Sequence, residues 1–168
     1  MSRARGFGLI ELLITMAIVA VLATIALPSF ASMLERMRLT SSVNDYVAAI
    51  HGARSNAVRE GRIVMVCPAS DDGRCEDSAA AYGKGWLITD DPADTQSTER
   101  VWSTAKGIDV AANFPGSDPY IRFGADGVPR QKGGGFLAGS ARFCAGDQGR
   151  KVVLSRTGRV RTESIGDC

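Results

Sequence analysis

The chain has 168 residues, 45% of them hydrophobic and 23% charged, with a formal net charge of +2. That length holds one ordinary domain plus an anchoring segment, since a single core takes about 100 to 150 residues, and it excludes two full domains. So small a net charge excludes binding of nucleic acid by bulk charge alone. The charge is uneven, however, with eight acidic and three basic residues between Asp71 and Arg100, and five basic and no acidic residues between Arg150 and Arg161.

The chain opens with six polar residues carrying Arg3 and Arg5, followed at once by an apolar run of 24 residues from Phe7 to Phe30. As a helix this run reaches roughly 36 Å at ~1.5 Å per residue, enough for a hydrocarbon core of ~30 Å. The two arginines hold the amino end in the cytoplasm. An ordinary signal peptide has a shorter apolar core and a small-residue cleavage site behind it, and neither is present.

Glu11 sits inside the apolar run with no basic residue in the helical turn that follows. A charge at the membrane centre costs about 2.5 to 3.5 kcal/mol on insertion scales, so this carboxylate calls for a partner. An amine freed by cleavage between Gly6 and Phe7, on one copy of the chain, would lie close in depth to Glu11 on a neighbouring copy.

The stretch Gly6-Phe7-Gly8-Leu9-Ile10-Glu11-Leu12-Leu13 resembles the prepilin leader of type IV pilins and type II secretion pseudopilins. By that resemblance a prepilin peptidase cuts after Gly6 and methylates Phe7, and Glu11 becomes the fifth mature residue, which guides filament assembly. Gly8 departs from the family's commonest residue, threonine. Pro28 matches the place where pilin helices loosen in the filament.

Beyond the anchor, Leu39, Val43, Tyr46, Val47, Ile50, Ala53 and Ala57 recur at threes and fours, while Glu35, Arg36, Arg38, Asp45, Arg54, Arg59 and Glu60 fall largely off that stripe. The spacing predicts that one helix continues from about Phe7 to about Glu60 and stops at Gly61. The segments Ile63–Cys67, Trp86–Thr89, Val101–Ser103, Tyr120–Phe123, Ala141–Cys144, Lys151–Ser155 and Arg159–Thr162 are short and β-like, separated by Gly, Asp and Pro. The expected architecture is α+β, a long helix packed on an antiparallel sheet. Its divisions are a leader (1–6), a transmembrane and polymerisation half-helix (7–30), an amphipathic half-helix (31–61) and a β-rich periplasmic head (62–168).

Cys67, Cys75, Cys144 and Cys168 all lie beyond the apolar run. An even count on the oxidising side of a membrane points to two disulfides. Of three pairings, Cys67 with Cys75 and Cys144 with Cys168 closes the shorter loops and is favoured.

The run ARSNAVREGRIVMVCPAS from Ala53 to Ser70, together with YIRFGADGVP and VVLSRTGRVR, resembles the GspH and FimT family of minor pilins and pseudopilins. With the leader, the likeness spans nearly the whole chain and is patchiest between Asp71 and Ser117. It implies the type IV pilin fold and, as partners, prepilin peptidase, other major and minor pilins or pseudopilins, and the inner membrane.

Catalysis finds little support. His51, the sole histidine, adjoins Ile50 on the expected helix, and Ser140 lacks the following glycine of a nucleophile elbow. Seven residues separate Cys67 from Cys75, which is not the close pairing of a structural zinc site. The triple glycine Gly133 to Gly135 has no following Lys-Ser or Lys-Thr for a phosphate loop. No metal, cofactor or catalytic residue is expected.

The carboxyl end holds the other notable pattern. Arg150-Lys151-Val152-Val153-Leu154-Ser155-Arg156 is followed by Thr157-Gly158 and then Arg159-Val160-Arg161, which reads as a hairpin turning at Gly158. A period of two sets Arg159 and Arg161 about 7 Å apart on one face, a spacing suited to successive phosphates of a nucleic-acid strand. Arg156, Arg150 and Lys151 extend the contact. Gly158-Arg159-Val160-Arg161 resembles the Gly-Arg-x-Arg element of FimT-type pilins that capture DNA in natural transformation, which makes DNA an expected partner. The alternatives are a purely structural minor pilin, whose charged edge discourages strand aggregation or meets an acidic neighbour, and a type II secretion pseudopilin.

Overall fold

The computed structural model describes residues 8–116, 119–166 and 168. Gly6 and Phe7, the expected cleavage and methylation residues, lie outside the described residues. The chain divides after Glu35 into two compact units.

The first unit contains the opening of one α-helix, α1 (Leu9–Glu60). The helix is long and apolar enough to cross a membrane, and none of its most apolar stretch is buried inside the chain. Its few hydroxyls are satisfied locally, because Thr15 donates to the Leu12 carbonyl at 2.8 Å and Thr24 to the Val21 carbonyl at 2.7 Å. Such back-bonding lets a hydroxyl enter an apolar phase without a bare donor. Glu11 stands in the first turn, where unsatisfied backbone N–H groups favour a negative charge.

In the second unit, the rest of α1 turns one apolar stripe inward. Leu39, Val43, Tyr46, Ala49, Ile50, Ala53 and Ala57 are all buried, at the spacing that places them on one face. The Gly61 N–H closes the helix on the Ala57 carbonyl at 3.0 Å.

Nine strands follow: β1 (Val64–Pro68), β2 (Gly85–Thr89), β3 (Thr98–Ser103), β4 (Asp109–Asn113), β5 (Ile121–Phe123), β6 (Pro129–Arg130), β7 (Gly139–Ala145), β8 (Gln148–Leu154) and β9 (Val160–Ile165). They form two antiparallel sheets, ordered β3-β2-β1-β5-β6 and β4-β7-β8-β9. The sequence pattern anticipates one sheet and neither β4 nor β6. β4 is Asp-Val-Ala-Ala-Asn with one well-buried residue, Val110, and β6 has two residues. Neither offers the β-branched alternation by which strands are recognised.

Tyr46 joins helix to both sheets. Its ring lies 5.2 Å from Trp86 of β2, 5.3 Å from Phe143 of β7 and 5.7 Å from Tyr82. β1 and β2 are buried along their whole length, because Met65, Cys67, Ala69, Leu87 and Tyr120 form a second small core on the opposite side.

Disulfides join Cys67 to Cys75 and Cys144 to Cys168. The first closes the loop after β1. The second fixes the carboxyl terminus to β7.

Candidate functional site

The two charged regions part company in the structure. In the acidic segment, most carboxylates are engaged close by. Lys84 lies 3.4 Å from Asp71 and 3.5 Å from Glu76, which together hold its ammonium above the ordinary lysine range. The Ser70 hydroxyl and then Arg74 hold the Asp72 carboxyl below the usual carboxylate range. Arg62, just past α1, pairs with Asp90 and lies 3.6 Å from Glu99. This segment is braced internally and is a poor surface for a basic partner.

The arginine hairpin is different. β8 and β9 pair from Gly149 with Ile165 to Leu154 with Val160, and the turn between them is tight. The Gly158 N–H donates to the Ser155 carbonyl at 2.9 Å, the Ser155 N–H to the Arg159 carbonyl at 2.9 Å, and the Arg159 N–H to Ser155 Oγ at 3.0 Å. Gly158 has φ +80, and this left-handed conformation is why glycine belongs there. The Ser155 and Thr157 hydroxyls lie 3.0 Å apart on the same turn.

Beneath the tip, Arg54 of α1 donates from Nη1 to the Gly158 carbonyl at 3.2 Å. Gly127, in the turn between β5 and β6, completes the junction. A Cβ on Gly127 would lie 3.0 Å from Arg54 Nε, and one on Gly158 would lie 3.0 Å from the Gly127 carbonyl oxygen. Helix end and two turns are thus fitted together without room for a side chain at either glycine. Sequence reasoning places Arg54 simply off the apolar stripe, since nothing local links it to a turn 104 residues away.

On the surface, Val153, Ser155, Thr157, Arg159 and Arg161 line an open groove of about 360 Å³. Val153 pairs directly with Arg161, so it shares that face and forms the apolar floor. Among the described residues Arg156 and Arg159 have no carboxylate partner, whereas Arg161 Nε lies 2.8 Å from Glu163 Oε1. Lys151 is opposite Glu163 and beside Arg142 of β7, which extends the basic face across three strands. Arg150 pairs with Ser164 and falls on the other face of the sheet, apart from Arg161. Arg142 and Glu163 are members of this face that sequence reasoning misses. Glu163 follows Arg161 by two residues, so the strand period alone would have found it.

The groove suits a phosphate-bearing strand: exposed guanidinium groups at a strand spacing, hydroxyl donors at the rim and a small apolar floor. Among the described residues no group of three or more His, Cys, Asp or Glu is placed to hold a metal.

One long helix, apolar at its start and packed under two antiparallel sheets at its end, defines a filament subunit of the pilin type. Residues 42–158 match the family described as Type II transport protein GspH, and residues 1–27 match the prokaryotic N-terminal methylation motif. The chain belongs to the GspH family.

A fimbrial protein of Moraxella nonliquefaciens is 26% identical over 177 residues, covering 98% of this chain and 96% of its own length. A fimbrial protein of Pseudomonas aeruginosa is 37% identical over 65 residues, covering 39% and 42% respectively. In solved structures, the type IV minor pilin FimU of Pseudomonas aeruginosa aligns with a TM-score of 0.56 at 21% identity, covering 81% of this chain and 98% of its own. The minor pseudopilin EpsH from the type 2 secretion system of Vibrio cholerae aligns with a TM-score of 0.50 at 12% identity, covering 77% and 99%. The chain is therefore a pilin or pseudopilin subunit with a membrane-anchoring helix and a soluble head, a structural protein and not an enzyme.

Proposed function

We propose that this chain is a minor pilin of a type IV pilus, and that its arginine hairpin captures DNA without sequence preference during natural transformation. The precursor sits in the inner membrane with its head in the periplasm. Prepilin peptidase cuts after Gly6 and methylates Phe7, and the new amine pairs with Glu11 of a neighbouring subunit. The methylation-motif match over residues 1–27 supports this maturation.

The observation that carries DNA capture is the contrast in charge pairing. Most acids between Asp71 and Arg100 are met by local cations or backbone, while Arg156 and Arg159 stand exposed with no carboxylate partner among the described residues. Neutralising phosphates releases their condensed counterions, giving salt-sensitive dissociation constants of about 10⁻⁴ to 10⁻⁶ M at physiological salt. Such an affinity allows a strand to be held and released as the filament moves.

The test is titration of the full chain in detergent with unrelated DNA duplexes over a salt series. Arg159→Ala or Arg161→Ala weakens binding equally on every sequence and lowers the salt slope by about one each. Unchanged binding by the double variant would falsify the reading.

A second reading, a pseudopilin of a type II secretion system, draws support from the description of the matched family. Deletion of the gene separates the two: loss of DNA uptake with normal protein secretion favours the pilus, and the reverse favours the secretion system.

A further inference from the structure

We propose that Glu163 sets the affinity of the arginine hairpin, as a carboxylate held on Arg161 that an incoming phosphate must displace. This rests on the DNA reading above.

Glu163 follows Arg161 by two residues on β9, so both side chains share a face, and its Oε1 lies 2.8 Å from Arg161 Nε. The pair is open to water, with side-chain exposures of 66% for Arg161 and 43% for Glu163. An ion pair that exposed adds little to stability, and it lies on an edge strand that meets no other beyond it. What it does is occupy one of the guanidinium groups that line the groove.

A carboxylate and a phosphate compete for the same donors. When a phosphate takes Arg161, Glu163 is left beside a second anion and gains by moving to another cation. Lys151 offers one, directly opposite on β8. Cross-strand partners have Cβ atoms about 4.5 to 5.5 Å apart, within reach of both long side chains. Each phosphate seated at Arg161 is therefore partly offset by the carboxylate it releases, and capture stays weak enough to reverse.

The ion balance follows. In the native chain the displaced Glu163 takes back part of the cation that the DNA gives up. With glutamine there, that recapture vanishes and the binding curve becomes more salt-dependent.

The experiment titrates the full-length chain in detergent with a mixed-sequence DNA duplex over a salt series. Glu163→Gln tightens binding about three- to fivefold at low salt, the effect of removing an exposed ion pair worth up to ~1 kcal/mol, and steepens the salt slope by up to about 0.9. Asp109→Asn, an exposed acid on the far edge strand of the same sheet, controls for net charge and gives a smaller gain with no preference for Arg161. In an Arg161→Ala background, Glu163→Gln gains no more than Asp109→Asn, which localises the coupling to the pair.

An unchanged affinity for Glu163→Gln, or a gain that survives in the Arg161→Ala background, overturns the proposal. If the arginine variants weaken binding while Glu163→Gln changes nothing, only the role of Glu163 falls. If Arg159→Ala and Arg161→Ala together leave binding intact, the DNA reading falls and this proposal with it.

Discussion

Arg54 Nη1 and the Gly158 carbonyl, 3.2 Å apart, tie the end of the long helix to the tip of the arginine hairpin. A turn anchored at its own carbonyl holds its flanking side chains with less loss of freedom when a ligand arrives. Gly158→Ala forces an L-residue to φ +80, at about 1 to 2 kcal/mol, and brings its Cβ to 3.0 Å from the Gly127 carbonyl oxygen. Arg54→Met removes one hydrogen bond, at about 1 kcal/mol. Both variants lower the thermal midpoint and speed amide exchange at Gly158, measured by hydrogen exchange with mass spectrometry.

The two disulfides differ in the length of chain they close, 8 residues for Cys67 with Cys75 and 24 for Cys144 with Cys168. On the loop-entropy account the longer closure stabilises by about 1 kcal/mol more, within a total near 3 kcal/mol. Chemical denaturation of Cys144→Ser/Cys168→Ser should therefore show the larger loss. The same variant frees the terminus next to β9, so amide exchange along that strand rises as well.

Burial raises the Tyr46 phenol well above its ordinary value of 10.0, with the Tyr82 hydroxyl opposing part of the rise. Below pH 10 both folded and unfolded chains keep the proton, and stability does not depend on this group. Above pH 10 the unfolded chain loses the proton first, so this contribution falls as pH rises toward the folded value. Thermal melts from neutral to alkaline pH should decline less steeply for Tyr46→Phe than for the parent. At neutral pH the variant should stay within about 1 kcal/mol of the parent, since the buried hydroxyl makes no hydrogen bond of normal geometry.

Glu11 is exposed on an apolar helix, so its function depends on a partner from outside the chain. Glu11→Val makes insertion easier by about 2.5 to 3.5 kcal/mol if the side chain sits at the membrane centre, yet removes the charge that fixes the offset between subunits. Membrane fractions should contain normal amounts of processed Glu11→Val protein, and sheared filaments should contain none.

Much of the fold is legible from local pattern. The apolar run, the stripe from Leu39 to Ala57 and the stop at Gly61 all depend on spacing along one helix, which the sequence displays directly. The hairpin turn at Gly158 is legible for the same reason, since its three closing hydrogen bonds join residues within four of one another. β4 escapes because Asp109, Ala111 and Asn113 face outward and only Val110 is deeply buried. The division into two sheets is not written in any one strand, because strand order is chosen by which apolar faces cover the helix.

By itself, then, the sequence determined the anchor, the amphipathic helix, the turn positions and the alternation of Arg159 with Arg161, since each is a periodicity within a few residues. Only the tertiary structure decided that Arg54 and Gly127 lock the hairpin tip, that Arg150 falls on the opposite face, and that the acids between Asp71 and Arg100 are met by local partners. These depend on strand register and on groups far apart in the chain, whose approach is fixed by packing around Tyr46 and has no local trace.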